Sequence, residues 1–131
     1  MTKLLFLFLF LLDRLIKMYA VKSGEFILNK GLALGLFSDL NLTGFLYTGV
    51  LISISLFYWH SFYREKKHIF AFSMIISGAV SNLIDRFLYN GVVDYLIIWK
   101  IPAFNLADCF IVVGVLTIFI KEIFNNGKNN S

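Results

Sequence analysis

Two aspartates in the second half of the chain could act together as a pair of catalytic carboxylates. Asp94 and Asp108 lie in a strongly apolar stretch, and neither has a basic residue at helical spacing. Two neighbouring carboxylates in a low-dielectric site resist ionising together, so one of them can keep a proton near neutral pH. The ionised carboxylate can then take a proton from water while the protonated one polarises a carbonyl group, as in aspartic proteases. The alternative is two interfacial aspartates, each solvated by headgroup water.

Three polar residues that precede this pair in the chain lie at helical spacing from one another. Residues three and four positions apart are neighbours on an α-helix, so Asn82 can reach both Asp85 and Arg86. Charged residues in lipid are costly and are by default a functional hypothesis. The competing interpretation is a charge pair of Asp85 with Arg86 that anchors a helix end at the headgroups.

Two further pairs of polar residues have the same helical spacing. Asn105 lies on the face of Asp108, and Asp13 lies on the face of Lys17. Asn105 follows Pro102 and begins a helical pattern, so it could be an N-cap, a role that is compatible with a place in the site. Asp13 and Lys17 could simply form an ion pair that makes both charges tolerable near the membrane interface.

The composition indicates that membrane helices position these residues. Of the 131 residues, 59% are hydrophobic and 15% are charged, and the mean hydropathy is +0.78. Soluble domains are about half apolar and about a quarter charged. The length predicts one integral membrane domain, residues 1–131. The net charge of +4 does not indicate nucleic-acid binding, because the basic residues are scattered at the ends of apolar runs and form no patch.

Four apolar stretches could each cross the bilayer, since a spanning helix needs about 20 residues. We predict spans at residues 3–21, 43–60, 69–89 and 105–124. A cleaved signal peptide is the alternative for the first, but no A-x-A site follows it and charges interrupt the end of its apolar run. Between the first two spans, residues 22–42 are predicted to form an extramembrane loop with a possible short strand at Glu25–Leu28. Residues 90–104 are predicted to be a connecting loop, and the polar tail is predicted to be disordered.

Alternation of the four spans brings the acidic residues to one membrane surface. Asp13, Asp85, Asp94 and Asp108 fall on the same side, whichever side that is. The Lys and Arg residues in the flanks are more numerous on the side of the two termini. Because cytoplasmic loops carry the excess of Lys and Arg, both termini are predicted to be inside and the acidic cluster outside.

Cys109, His60 and His68 are weaker candidates. Cys109 points about a third of a turn away from Asp108, and we interpret it as a buried small residue rather than a nucleophile. The two histidines flank the predicted inner loop, away from the polar set. The sequence contains no HExxH pattern and no Gly-rich phosphate loop, and it predicts no metal site.

Five short blocks resemble the signature of lipoprotein signal peptidase, the bacterial signal peptidase II. They are DRLIK, NKGLALG, SNLIDR, VVDY and FNLAD, at residues 13–17, 29–35, 81–86, 92–95 and 104–108. Each block alone is a weak signal, but their order and their placement on four predicted spans fit the family. Ser81 stands where the family more often has glycine, and Leu34 stands where an aromatic residue is common.

The resemblance implies an all-α membrane protein with four transmembrane helices and a small extracytoplasmic β-cradle after helix one. It implies a catalytic pair of Asp94 and Asp108. The positions that match supporting or substrate-binding residues are Asn29, Asn82, Asp85, Arg86, Asn105, Asp13 and Lys17. The implied substrate is a diacylglyceryl-modified prolipoprotein, cut before its lipidated cysteine. No metal or cofactor is implied, and globomycin-type cyclic peptides are expected to inhibit.

The resemblance also implies a place in the bacterial cytoplasmic membrane, among phospholipids, with the site at the outer face. We expect a monomer. One rival is a small proton- or cation-coupled transporter, which predicts acidic residues nearer the bilayer midplane and often repeated halves. The other is a structural subunit, in which substitution of the polar residues would lower stability rather than activity.

Overall fold

The structure is a computed structural model, and it describes residues 2–30 and 68–128 together with residues 49, 52, 53 and 56. The described elements are α1 (Thr2–Ser23), β1 (Ile27–Asn29), α2 (Ile69–Tyr89), β2 (Val92–Asp94), β3 (Leu96–Ile98), β4 (Ile101–Phe104) and α3 (Leu106–Lys128). The predicted span at 43–60, most of the predicted loop at 22–42 and His60 lie outside the described residues. So does most of the NKGLALG block, including Leu34.

Helices occupy the other three predicted spans. By length and composition, α2 is the one described helix that is long and apolar enough to cross a membrane. The polar tail was predicted to be disordered, but α3 continues through residues 125–128. These residues contain one glycine, Gly127, and no proline, so a single strong helix breaker does not end the helix.

Four short strands form two antiparallel pairs, β1 with β2 and β3 with β4. The prediction that residues 90–104 form a plain loop is therefore wrong. Strands of three or four residues are too short to give a clear alternating pattern in the sequence. The β-cradle was expected after the first helix. Of the described strands only β1 lies between α1 and α2, and its partner strand β2 comes from the segment after α2.

The α2 helix lies at the centre and packs against both α1 and α3. Its contact with α3 is close because both helices have glycine at the crossing. An added Cβ on Gly78 would lie 2.3 Å from the backbone oxygen of Ala107, and one on Gly114 would lie 2.7 Å from that of Ala71. Small residues at such a crossing allow two membrane helices to pack backbone to backbone.

Polar side chains fill much of the interior, while large apolar side chains cover the outside. The small apolar core contains Leu9, Met74 and Phe110. Fully buried residues include Asp13, Lys17, Asp85 and Asn105, whereas many leucine, isoleucine and phenylalanine side chains of all three helices are exposed. This arrangement is the reverse of a soluble protein and suits a helix bundle surrounded by lipid.

We expect Gly78→Ala to destabilise the protein by about 1–3 kcal/mol, the usual cost of overpacking a tight core. The atom in the way is a backbone oxygen at the start of α3, so α2 and α3 must move apart. Thermal unfolding in detergent measures the effect. Gly49→Ala is the matched control, since no atom of the residues that the structure describes lies within 4 Å of its added Cβ. Equal unfolding temperatures for the two variants would contradict the close crossing.

Candidate active site

A single asparagine holds the two candidate carboxylates together. Asp94 ends β2 and is buried, and Asp108 lies in the first turn of α3. The Nδ2 group of Asn105 donates to Oδ1 of Asp94 at 2.7 Å. Its Oδ1 accepts from the backbone N–H of Asp108 at 3.0 Å, and its own backbone N–H donates to Oδ2 of Asp108 at 3.2 Å.

The contacts of Asn105 with Asp108 form a reciprocal N-terminal cap of α3, in which side chain and backbone exchange hydrogen bonds. The N-cap interpretation of Asn105 is therefore confirmed. The same side chain also bonds to Asp94, so capping the helix fixes the position of one carboxylate relative to the other.

The remaining carboxylate oxygens accept hydrogen bonds from two more asparagines. Nδ2 of Asn29 donates to Oδ2 of Asp94 at 2.9 Å, and Nδ2 of Asn82 donates to Oδ1 of Asp108 at 2.8 Å. Asn29 is placed by the β1–β2 ladder, where it pairs with Val92 and so shares a sheet face with Asp94. Three predicted supporting residues thus contact the pair directly.

Neutral amides, and not cations, are the hydrogen-bond donors to both carboxylates. Among the described residues, no Lys or Arg nitrogen lies within 4.0 Å of a carboxylate oxygen of Asp94 or Asp108. Burial raises the pKa of Asp94 to about 6. The hydrogen bond from Asn29 opposes this rise, and the charge of Asp108 adds to it. A carboxyl group with this pKa can exchange a proton near neutral pH.

Lys17 connects this site to a buried cluster of charges. Its Nζ lies 3.0 Å from Oδ2 of Asp13 and 2.7 Å from Oδ2 of Asp85. It also donates to Oδ1 of Asn82 at 2.7 Å. The predicted ion pair of Asp13 with Lys17 is present, and it is part of a larger network. Because Asn82 in turn bonds to Asp108, Lys17 orients the amide that holds this carboxylate.

The basic partners of Asp85 come from α1. They are Lys17 and Arg14, whose Nη1 contacts Oδ1 of Asp85. Among the described residues, these ion pairs of Asp85 are thus with α1, and its interaction with Arg86, the alternative considered above, is electrostatic. Arg86 is buried, donates to the backbone oxygen of Asn82 at 3.4 Å and interacts electrostatically with Asp108, Asp94 and Asp85.

Asp13 holds the first turn of α3 from the side of α1. Its Oδ2 accepts from Oγ of Ser81 at 2.5 Å. Its Oδ1 accepts from the backbone N–H of Ala107 at 3.0 Å and from the hydroxyl of Tyr95 at 3.3 Å. That hydroxyl also accepts from the backbone N–H of Leu106 at 3.1 Å. Asp13 and Tyr95 therefore fix the turn that carries Asp108.

Sequence reasoning missed Arg14 and Tyr95 as parts of the site. Arg14 had a usable signal, because it shares a helix face with Lys17 at a spacing of three. Tyr95 belongs to the VVDY block, but its contacts could not be predicted, because its partners Asp13 and Leu106 lie on elements that only the folded chain brings near.

The weaker candidates lie elsewhere or lack a partner suited to catalysis. His68 bonds to Glu122 at 2.8 Å, at the other end of α2 and α3 from the aspartates. Cys109 is half-buried beside Asp108 on α3, where the backbone N–H is bonded to Asn105. Among the described residues, no group of three His, Cys, Asp or Glu side chains could hold a metal ion.

The fold is that of known bacterial membrane enzymes. A bacterial membrane enzyme structure at 2.3 Å resolution matches with a TM-score of 0.82 and 22% identity, over 99% of this chain and 91% of that one. A second, at 1.9 Å resolution, matches with a TM-score of 0.72 and 24% identity, over 92% of this chain and 90% of that one. At such identities the likeness establishes the fold.

Sequence relatives define the family. The family model for signal peptidase (SPase) II matches residues 5–124. The lipoprotein signal peptidase of Blochmanniella pennsylvanica is 33% identical over 114 residues, 80% of this chain and 69% of that protein. Its counterpart in Helicobacter pylori strain 26695 is 35% identical over 140 residues, 95% of this chain and 88% of that protein. The chain belongs to the signal peptidase II family, and it is a peptidase and an integral membrane protein.

We expect Asp94→Asn to be more stable than the wild type at pH 8 and equally stable below about pH 4. The pKa of Asp94 rises from 3.8 in the unfolded chain to about 6 in the fold. Stability is therefore lost as the pH rises between these values, and the loss reaches about 3 kcal/mol above pH 6. Unfolding in detergent at several pH values measures the difference. A difference that does not change with pH would contradict the raised pKa.

Proposed function

We propose that the chain removes signal peptides from diacylglyceryl-modified prolipoproteins by cutting before the lipidated cysteine. The observation that carries the chemistry is the pair Asp94 and Asp108, which share the hydrogen-bond partner Asn105 and, among the described residues, accept hydrogen bonds from neutral amides. Family membership supports the substrate, because the relatives named above are lipoprotein signal peptidases.

In the proposed mechanism a water molecule lies between the two carboxyl groups, one ionised and one protonated. The ionised group takes a proton from water, and the water oxygen bonds to the scissile carbonyl carbon. The protonated group gives its proton to the carbonyl oxygen, which forms a tetrahedral diol. Collapse of the diol breaks the C–N bond. The proton taken from water passes to the leaving amine, and the other carboxylate takes a proton back from one diol hydroxyl, whose oxygen becomes the carbonyl oxygen of the product acid. Asn29, Asn82 and Asn105 keep the four carboxylate oxygens in position throughout.

The charged residues around the pair are proposed to support it and to bind substrate. Lys17 and Asp13 fix Asn82 and the first turn of α3, and Asp85 anchors β2 by accepting from the backbone N–H of Val93 at 3.2 Å. Arg86, whose charge acts on both aspartates, is suited to the polar part of a substrate lipid or the peptide backbone. No metal or cofactor takes part, and globomycin-type peptides are expected to compete for this site.

We propose one domain, residues 1–131, that crosses the bacterial cytoplasmic membrane four times, at 3–21, 43–60, 69–89 and 105–124. Both termini are cytoplasmic and the protein works as a monomer among phospholipids. The site is at the outer face. In support, the aspartates gather where α2 ends and α3 begins. A lipid-anchored precursor is expected to carry its scissile bond at the level of such helix ends. Charged groups at helix ends avoid the high cost of the bilayer centre.

The test is to incubate the purified protein in detergent with a lipidated prolipoprotein and to look for the mass of the released signal peptide. We expect cleavage before the lipidated cysteine, unchanged by metal chelators, and no cleavage of the same precursor without its lipid. A protein that leaves the precursor intact but carries protons or cations into liposomes would instead support the transporter alternative.

A further inference from the structure

The hairpin of β3 and β4 places large apolar side chains in the open at its tip. Trp99 is 85% exposed, Ile97 is 65% exposed, and Ile98 and Ile101 are each 50% exposed. The strands pair Leu96 with Phe104 and Ile98 with Ile101, so only Trp99 and Lys100 form the turn. Contiguous exposed apolar surface of this kind marks a site of interaction.

Both faces of the hairpin carry this apolar surface. Successive side chains in a strand point to opposite faces, so Ile97 and Ile98 point in opposite directions, and both are exposed. A folded protein partner would cover one face of the hairpin. A fluid apolar medium can surround both faces, which favours lipid as the partner.

The turn is built from an aromatic and a basic residue in an unusual conformation. Lys100 has φ 68, in the left-handed region where glycine or asparagine is the usual choice. Its Nζ lies 4.4 Å from the centre of the Trp99 ring. Tryptophan prefers the boundary between lipid and water, and a neighbouring lysine can reach the phosphates there. The two-residue turn requires a positive φ at a central position, whereas the choice of tryptophan and lysine for that turn suits contact with lipid.

The hairpin lies at the same end of α2 and α3 as the two aspartates. It connects the end of α2 at Tyr89, through β2, to the start of α3 at Leu106. The last turn of α2 exposes Phe87 and Leu88, so the apolar outer surface of the helix reaches the level at which the hairpin begins.

We propose that the Trp99–Lys100 tip inserts into the phospholipid leaflet nearest the two aspartates and holds the site at headgroup depth. Tyr95 and Asn105 lie immediately before β3 and after β4, so the hairpin is joined at both ends to groups that fix the site. Insertion itself does not depend on the proposed peptidase chemistry.

The depth of Trp99 in a bilayer tests the proposal without any substrate. The chain has two tryptophans, and Trp59→Phe leaves Trp99 as the single reporter. The variant is placed in phosphatidylglycerol–phosphatidylethanolamine nanodiscs that contain phospholipids brominated at different acyl positions. We expect blue-shifted emission, quenching strongest with bromine near the headgroup, and a depth of about 5–10 Å below the boundary of headgroups and acyl chains.

Two outcomes would overturn insertion. Emission that aqueous acrylamide quenches and brominated lipid does not would place the tip in water. Emission that neither reagent quenches would place it against protein, such as a second copy of the chain. The double variant Trp59→Phe/Trp99→Phe supplies the background signal.

A kinetic measurement tests the consequence for the site, and this part rests on the proposed function. We expect Ile98→Ser/Trp99→Ser to raise the KM for a lipidated precursor in bilayers several-fold, with kcat unchanged. In detergent micelles, where depth is not fixed by a bilayer, KM should be unchanged. An equal rise of KM in bilayers and in micelles would contradict a role of the hairpin in setting depth. If the wild type does not cleave the precursor at all, the proposed function is contradicted, and the quenching result still stands.

Discussion

Replacement of Asp94 or Asp108 by asparagine is expected to abolish cleavage of a lipidated precursor while each variant still inserts and folds. In the proposed mechanism each substitution removes one of the two carboxyl groups that exchange protons with water and with the scissile carbonyl. General acid–base catalysis by a positioned group contributes about 10²–10⁴-fold, so losses of at least this size are expected in kcat. The neighbouring groups cannot replace the lost carboxyl group in proton transfer, because they are neutral amides.

The fold should survive these substitutions because asparagine has nearly the same shape as aspartate. At position 94 the side-chain oxygen can still accept from Asn105, and the amide of Asn29 can turn to accept from the new NH₂ group. The elution volume in size-exclusion chromatography in detergent and the unfolding temperature measure whether each variant keeps the fold. A variant that fails to fold would be uninformative about catalysis, so stability and turnover are measured on the same preparation.

Glu25→Gln is the matched control for the pair. Glu25 is an exposed carboxylate between α1 and β1, close in sequence to the strand that pairs with β2. Its backbone N–H donates to the backbone oxygen of Ala20 and to Oγ of Ser23. We expect this variant to cleave at the wild-type rate. Retained turnover in Asp94→Asn or Asp108→Asn would sink the two-carboxylate mechanism.

The sequence predicts the polar cluster because its parts are local. Asn105 and Asp108 are three residues apart and cap one helix, and Asp13 and Lys17 are four apart and share one face. Such pairs follow from helical spacing, whatever the rest of the chain does. The apolar composition adds that these residues gather where helices end, because the bilayer centre excludes them.

Partners from distant parts of the chain could not be predicted in this way. Arg14 and Asp85 are separated by 71 positions, and they meet only because α1 packs along α2 at one particular rotation. The alternative charge pair of Asp85 with Arg86 rested on adjacency in sequence, and adjacency could not indicate the ion pairs that Asp85 forms with α1. The pairing of Asn29 with Asp94 depends likewise on the register of β1 with β2, and three-residue strands do not encode a register by themselves.

Replacement of Lys17 by methionine is expected to have the largest effect on stability. Its ammonium group is fully buried and contacts carboxylate oxygens of Asp13 and Asp85. Breaking a buried ion pair by removing one partner leaves a desolvated charge and typically costs about 3–5 kcal/mol. Among the described residues, Asp85 keeps Arg14 whereas Asp13 keeps neutral donors, so most of the cost falls on Asp13. Unfolding in detergent at neutral pH measures the loss.

A second substitution identifies the cause of that loss. In Lys17→Met/Asp13→Asn the buried charge of Asp13 is removed together with its counter-ion, and we expect much of the lost stability to return. Lys22→Met is the control, because Lys22 is an exposed lysine in the last turn of the same helix and should be neutral to within about 0.5 kcal/mol. If Lys17→Met and Lys22→Met unfolded alike, the buried charge network would not be holding α1 against the site.

Activity should not return with stability in the double variant. The Nζ group of Lys17 also orients Asn82, whose amide holds Asp108, and neither methionine nor the new asparagine at position 13 replaces that hydrogen bond. We therefore expect a folded protein with reduced kcat, a combination that a purely structural lysine would not give. Recovery of both stability and full turnover would assign Lys17 to the fold alone and leave Asn82 to hold Asp108 without it.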